Sequence, residues 1–449
     1  LWWGHRIPVW YCQACGEVIV ARETPHQCTA CGSSDLHQDD DVLDTWFSSG
    51  LWPFSVFGWP EETPDFKYFY PTSILETGYD ILFFWVARMV MDALEFTGEV
   101  PFHTVYLHGM IRDEKGQKMS KTKNNVIDPL ILMDEYGTDA LRFTLLVGSS
   151  PGNDQNVGVK KVEANRNFAN KVWNIGRYVI NAIDRVEEKA QAEPEWTLAD
   201  GWIWARLKQT VNSVNSLFEA YQYGEAGKQI YEFLWNDFAD WYVEGSKRQL
   251  AEGGDRTAYT AHTLVYVLDV MLRLLHPFTP FVTEALWGYL KNACQESGMV
   301  YTPEEGWEED LMIAKWPEAM KLDGHEEDYL RDFGLVQDIV RAIRNVRSEY
   351  KIEPNKKLKA VMVSAELAEL LKEQKAVIAD FANLDLESLK LSTSPVDVEG
   401  LTALVVDRVE IFLQLRGDGD DEADRERLTK ELQEAESHIK RLQGLLASP

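Results

Sequence analysis

The sequence predicts four successive parts: an α/β region over residues 1–150, an α-helical bundle over 151–330, a small α/β region over 331–417 and a coiled-coil helix over 418–449. Three observations predict this order. Four paired cysteines mark a compact metal knuckle near the start. Apolar, strand-like runs that end in glycine turns alternate with helical patterns up to residue 150. Beyond it, apolar residues recur every three or four positions, the period of helices with one buried face.

With 449 residues the chain can hold two to four domains, each large enough to bury its own core. A hydrophobic share of 45% with 26% charged residues is that of a globular protein. No run of 18 or more uncharged apolar residues occurs, so no membrane span is expected. The start, Leu1-Trp2-Trp3-Gly4-His5-Arg6, lacks the charged and apolar segments of a secretory leader and does not begin with Met. A cytoplasmic piece of a longer protein is expected. The net charge of −28 argues against indiscriminate nucleic-acid binding. Two basic islands run against it, Lys160, Lys161, Arg166, Lys171, Arg177 and Arg185 in the first, and Arg341, Arg344, Arg347, Lys351, Lys356, Lys357 and Lys359 in the second. They are candidate phosphate-facing surfaces, with solvated helix faces as the plain alternative.

Cys12-x-x-Cys15, twelve intervening residues and Cys28-x-x-Cys31 have the spacing of a tetrahedral zinc site. Gly16 and Gly32 follow the pairs and let backbone amides turn toward the thiolates. Disulfides are the alternative, but nothing else points to secretion. A closed four-sulfur site leaves no open position, so a structural Zn2+ is expected. The fifth cysteine, Cys294, reads as a small packing residue.

A strand-like run, Thr104-Val105-Tyr106-Leu107, leads into His108-Gly109-Met110 and then a turn at Gly116. Lys118-Met119-Ser120-Lys121 follows, within a loop at 118–122. Two ammonium groups on such a loop can meet one polyphosphate. Upstream, a β-like run ends at Glu76, a turn at Thr77-Gly78 follows, and a helix pattern begins near Asp80. There Ile81 and Trp85 fall one helical turn apart, a pattern that alone reads as core.

Taken in order, Trp2 to Pro8, Asp41 to Ser55 with Asp44-Thr45-Trp46-Phe47-Ser48-Ser49, Phe69 to Arg88 and Lys118-Met119-Ser120-Lys121 closely resemble the second catalytic half of the bacterial valyl-tRNA synthetases, a class I family. The resemblance covers essentially the whole chain. It implies that residues 1–150 form the later part of a Rossmann-like nucleotide-binding domain, a parallel doubly wound sheet with ATP at strand C-terminal ends. Thr77, Gly78 and Asp80 would approach the ribose and adenylate, and His108, Gly109 and Met110 the adenine. Ile81 and Trp85 would line the amino-acid pocket, with Trp46 closing it. Lys118 and Lys121, flanked by Met119 and Ser120, would stabilise the charge that develops on pyrophosphate as valine attacks the α-phosphate of ATP, bound with Mg2+. Asn124 stands where the family usually has glycine, and Thr122 replaces the commoner serine. The partners implied are valine, ATP and tRNA(Val), with a monomer expected. None of the nine histidines starts the family's His-x-Gly-His motif and no editing domain is recognisable, so this stretch alone is expected to be inactive. An isoleucyl- or leucyl-tRNA synthetase is the same-class rival, and a tRNA-binding module without ligase activity the rival of another class.

Past Ser149-Ser150-Pro151-Gly152, Phe168, Val172, Ile175 and Val179 share one helix face, as do Ile230, Phe233, Leu234, Trp241 and Tyr242. Leu264 to Leu275 continues the pattern until Pro277 and Pro280 stop it. The resemblance makes this bundle the anticodon-binding domain. Next, Val361-Met362-Val363, Leu389-Lys390-Leu391 and Val405 to Leu415 read as strands and Ala365 to Glu373 as a helix. Leu428, Leu432, Ala435, Ile439, Leu442 and Leu446 keep a 4-3-4-3-4 spacing, a coiled-coil seam that the resemblance makes part of a tRNA-gripping arm.

Overall fold

The structure, a computed structural model, describes residues 4–415 apart from 124, 193, 299, 319–320, 323 and 398–399, and apart from the side chain of Lys121. The heptad helix expected over 418–449 therefore lies outside the described residues, as do Trp2, Trp3 and Asn124.

A small sheet, order β2-β1-β3, comes first, from β1 (Val9–Cys12), β2 (Val18–Val20) and β3 (Leu36–Gln38). Short helices α1 (Thr45–Gly50), α2 (Trp52–Ser55) and α3 (Pro64–Phe69) lead to β4 (Thr72–Gly78). Asp44 caps α1 by accepting from the Trp46 amide, and Thr63 caps α3 by accepting from Phe66. A 3-10 turn (Tyr79–Ile81), a π-helical turn (Leu82–Val86) and α4 (Ala87–Phe96) cross over to β5 (Phe102–His108). Strands β4 and β5 are parallel, in register from Thr72 opposite Phe102 to Gly78 opposite His108. Leu75, Val86, Met89 and Phe102 form the core between them and α4. Strand β6 (Ile111–Arg112) pairs in parallel with β7 (Gln155–Asn156), across α5 (Pro129–Tyr136) and α6 (Thr138–Leu146).

The bundle is built from α7 (Val159–Ile183), α8 (Leu198–Glu219), α9 (Tyr223–Glu232), a π-helical stretch (Phe233–Val243), α10 (Glu244–Gln249), α11 (Gly254–Leu275), α12 (Pro280–Ser297) and α13 (Glu326–Glu349). Phe168, Val172, Ile175 and Val179 all turn inward from α7, as their spacing predicts. Thr197 and Asp200 form a reciprocal capping box at the start of α8. Proline at the first position of α12 costs no hydrogen bond, because that amide would be unpaired anyway. By length and composition α11 could cross a membrane, but it lies almost wholly inside the bundle, a core helix.

In the last part, β8 (Lys359–Val363), α14 (Ala368–Ala382), β9 (Lys390–Ser392), β10 (Thr402–Val406) and β11 (Val409–Gln414) make a four-stranded sheet, order β10-β11-β8-β9, with α14 against α13. Two expectations are corrected here. The apolar run Val405 to Leu415 is the end of one strand and all of the next, because Asp407 takes φ +50° and reverses the chain. The helix expected at Ala365 to Glu373 begins at Ala368 and continues to Ala382. Residue 331 falls within α13, which packs on both α8 and α14.

Candidate active site and metal centre

The C-terminal ends of β4 and β5 lie side by side, the position at which parallel α/β sheets take ligands. The strand β4 ends at Gly78, two residues later than its pattern suggests. A Cβ on Gly78 would stand 2.8 Å from Asp80 Oδ1, 3.3 Å from Met110 Sδ and 3.5 Å from His108 Cε1. Four of the residues singled out in the sequence therefore meet in one small volume. Thr77 is buried beside them. Gly109 lies where a Cβ would stand 1.6 Å from Asn153 O, so only glycine lets these two backbones cross. His108 Nε2 sits 3.4 Å from Glu76 Oε1.

The lysine loop is joined to this point by Asp154. Its carboxylate accepts from the Met110 amide at 2.8 Å and from Arg112 Nε. The Met110 amide foremost, then Arg112, hold Asp154 below its ordinary pKa of 3.8. Arg112 in turn bridges to Lys118 across an antiparallel hairpin. Asp113 shapes its turn by accepting from the Lys115 and Gln117 amides at 3.0 and 2.8 Å, and Gly116 takes φ +75°. Sequence reasoning missed Asn125. Its Oδ1 accepts from the Ser120 amide at 2.9 Å, and its Nδ2 donates to Asp113 at 2.8 Å. That clasp ties Lys118-Met119-Ser120 to the hairpin. An Asn after a Lys-rich run carries no distinct pattern, so no signal pointed to it. Lys118 is exposed, and Lys121 opens a 3-10 turn ending at Lys123.

The pocket geometry needs correction. Ile81 closes a 3-10 turn, and Trp85 lies in a π-helical turn whose bond runs from the Ala87 amide back five residues to Leu82. Four residues there do not make one α-helical turn, so the two side chains are not stacked in α register. Trp85 donates its indole N–H to Ser49 O at 3.2 Å and packs beside Trp52, centroids 6.0 Å apart. Trp46 packs beside Phe84 at 6.2 Å. The α1 helix thus does lie against this turn, through the Trp46–Phe84 pair and the Ser49 carbonyl, while Trp52 of α2 adds the second aromatic contact.

In the knuckle, the four sulfurs of Cys12, Cys15, Cys28 and Cys31 lie within 4.8 Å of one another. The Cys12–Cys31 and Cys15–Cys28 separations are both 3.6 Å. Zinc–sulfur bonds of about 2.3 Å require tetrahedral sulfurs about 3.8 Å apart, so the donor set fits such an ion. The Gly16 and Gly32 amides donate to the carbonyls of Cys12 and Cys28 at positive φ, closing both turns. The Cys31 amide, aided by that of Ala30, lowers the Cys28 thiol to about 7, while Cys15 and Cys31, crowded against the same cluster, are raised. Cys294 is buried on α12 and pushed up to about 12 by burial, as suits a packing residue.

The basic islands divide. Lys171 lies 3.9 Å over the ring of Trp235 and 2.7 Å from Asp240 on the bundle surface. Arg344 stacks on Trp241 and Phe381. Arg347 is different: it is buried and donates to the carbonyls of Asn383, Glu353 and Pro354, tying loop to sheet.

Residues 1–158 match the profile of tRNA synthetases class I (I, L, M and V), and residues 200–362 that of the anticodon-binding domain of tRNA ligase. The leucyl-tRNA synthetase of Agrobacterium radiobacter, in its ternary complex with tRNA and LeuAMS, has the same fold over 81% of this chain and 43% of its own, with TM-score 0.52 and 18% identity. With the strand-end site described above, these matches place the chain in the class I tRNA synthetase family. Within it, the whole chain is 44% identical to the valine–tRNA ligase of Dehalococcoides mccartyi and 42% identical to that of Symbiobacterium thermophilum. It covers 49% and 50% of those two proteins, so it spans about half the length of the curated relatives it matches.

Proposed function

We propose that this chain is the second catalytic half and the tRNA-binding part of a valine–tRNA ligase, which activates valine with ATP to valyl-adenylate and transfers it to tRNA(Val). The convergence of Gly78, Asp80, His108 and Met110 at paired strand ends, joined through Asp154 to the lysine hairpin, carries this reading. Thr77, Gly78 and Asp80 contact the ribose side of the adenylate, and His108, Gly109 and Met110 the adenine side. Lys118 and Lys121 stabilise the pyrophosphate leaving group beside Mg2+, with Met119 and Ser120 setting the loop. The wall of Trp46, Ile81 and Trp85 takes the valine side chain. Zinc at the four cysteines is structural and leaves no position for chemistry. The bundle, with its cation-and-aromatic surface at Lys171 and Trp235, receives the anticodon stem and loop. The working protein is a cytoplasmic monomer.

Parallel sheets are normally covered on both faces, yet β4 and β5 stand as a pair and Phe83 beside them is 75% exposed. In the longer protein the preceding half, bearing His-x-Gly-His, covers that face. The test is amino-acid-dependent ATP–pyrophosphate exchange by the full-length protein. Valine should be preferred to isoleucine by about a hundredfold in kcat/KM, near the limit for one methylene in an apolar pocket. Preference for isoleucine or leucine would overturn the assignment.

A further inference from the structure

Two indoles of the amino-acid wall answer to one short helix. Trp46 stands on α1, and three residues further along it the Ser49 carbonyl takes the Trp85 indole N–H at 3.2 Å. That helix is firmly seated. The Ser49 hydroxyl donates to Thr45 O at 3.0 Å, and Gly50 lies so close to α4 that a Cβ there would run into the Asp92 carboxylate. Trp85 also packs against the core of Leu75, Val86, Met89 and Phe102. One hydrogen bond fixes an edge of its ring, but a flat ring with a broad second torsion can still tilt about that edge.

Trp52 supplies the support against that tilt. Its ring centroid lies 6.0 Å from that of Trp85, with the planes inclined at 43°. Trp52 is 49% exposed, yet its backbone is held: Pro53 follows it in the first turn of α2, and the fully buried Phe54 anchors the helix against Tyr70 and Ala93. A half-exposed ring on an anchored helix can be removed at little cost to the core. Its effect on Trp85 is therefore separable from folding.

We propose that Trp52 is a positioning residue for amino-acid selection: it holds the Trp85 ring in place against the Ser49 carbonyl, and so stiffens the apolar wall that admits valine and turns away isoleucine. An apolar pocket rejects one extra methylene only as far as its walls refuse to move, because a wall that yields makes room at little cost. Trp52 touches no substrate and acts through Trp85 alone. The inference rests on the wall of Trp46, Ile81 and Trp85 assigned above, and it adds the residue that keeps that wall rigid.

The test is ATP–pyrophosphate exchange by the full-length protein with valine and with isoleucine. In Trp52→Ala the preference for valine in kcat/KM should fall from about a hundredfold to about tenfold, chiefly because isoleucine is used better. KM for ATP should stay within about twofold, since the strand ends are untouched. Trp52→Phe keeps a ring against Trp85 and should bring the preference back to within about threefold of the parent's. A preference that does not move, or an equal loss with both amino acids as general damage would give, overturns the proposal. If Trp52→Ala does not fold, Trp52→Leu decides by the same ratio. Should the parent itself prefer isoleucine, the proposed function falls, whereas the role of Trp52 falls only if the ratio is the same with and without its ring.

Discussion

The bundle and the α/β region achieve order by different means. From Phe143 to Leu415 most of the buried residues form one continuous core that runs through the helices into the last sheet. The α/β region holds several small cores instead, such as Leu75, Val86, Met89 and Phe102, or Phe54, Tyr70 and Ala93. Its functional parts are fastened by local polar devices: four thiols, the Asp154 bridge and the Asn125 clasp. Burial gives the bundle a stability that many contacts share. The site region depends on a few groups, each replaceable only at a high cost in geometry.

The strongest way to break this contrast is at the site. Lys121→Ala or Lys118→Ala in the full-length protein should slow valine-dependent pyrophosphate exchange by about a hundredfold or more, the usual effect of removing one transition-state donor. tRNA affinity, measured by filter binding, should hold; equal loss of both would contradict the assigned role. The bundle has a polar weak point of its own. Asp200 is fully buried, accepts from Tyr242 at 2.8 Å and from Arg256 at 2.7 Å, and caps α8. Asp200→Ala should cost about 3–5 kcal/mol in urea unfolding, since it removes the carboxylate that pairs with the half-buried Arg256, leaves the buried Tyr242 hydroxyl without its acceptor and opens the capping box. A loss below 1 kcal/mol would show that burial alone carries the bundle.

Three milder tests sharpen the comparison. Cys28→Ser should lower bound zinc from about one per chain to a small fraction by metal analysis. The helical far-UV signal should barely change, because the knuckle core of Trp10, Cys12, Ile19 and Cys28 is separate from the bundle. Acid should also act unequally. Asp113, chiefly through Asn125, and Asp154, chiefly through the Met110 amide, sit below the ordinary 3.8. Their contribution is present above that value and is lost as pH falls through their folded pKa values. Burial raises Asp139 and Asp237, so protonating them relieves a cost in the folded state. Hydrogen exchange below about pH 4 should therefore open the hairpin before α6 and the bundle, and the reverse order would refute this account. The smallest effect is Asn125→Ala, which should raise KM for ATP about fivefold through loss of the Ser120 and Asp113 bonds.

Much of this was legible in the residues. Cysteine spacing foretold the converging thiols, and the 3–4 period placed Phe168 to Val179 on the buried face of α7. The end of β5 was readable because Gly109 follows an apolar run, whereas β4 keeps its pairing through Gly78, two residues past the end that its pattern suggests. The π-helical turns were not, since an added residue leaves the apolar pattern of Leu82 to Val86 and of Phe233 to Val243 intact. Nor was the hairpin at Asp407, where apolar residues flank a single left-handed position.

The widened coil at Leu82–Val86 has a last implication. Excising one residue from it would restore ordinary winding and swing the preceding aromatics about 100° around the axis of α4. Trp85 would leave the Ser49 carbonyl, while the strands on either side kept their partners. A change of a single codon in length could thus redraw the shape that greets an amino acid without unmaking the scaffold beneath it.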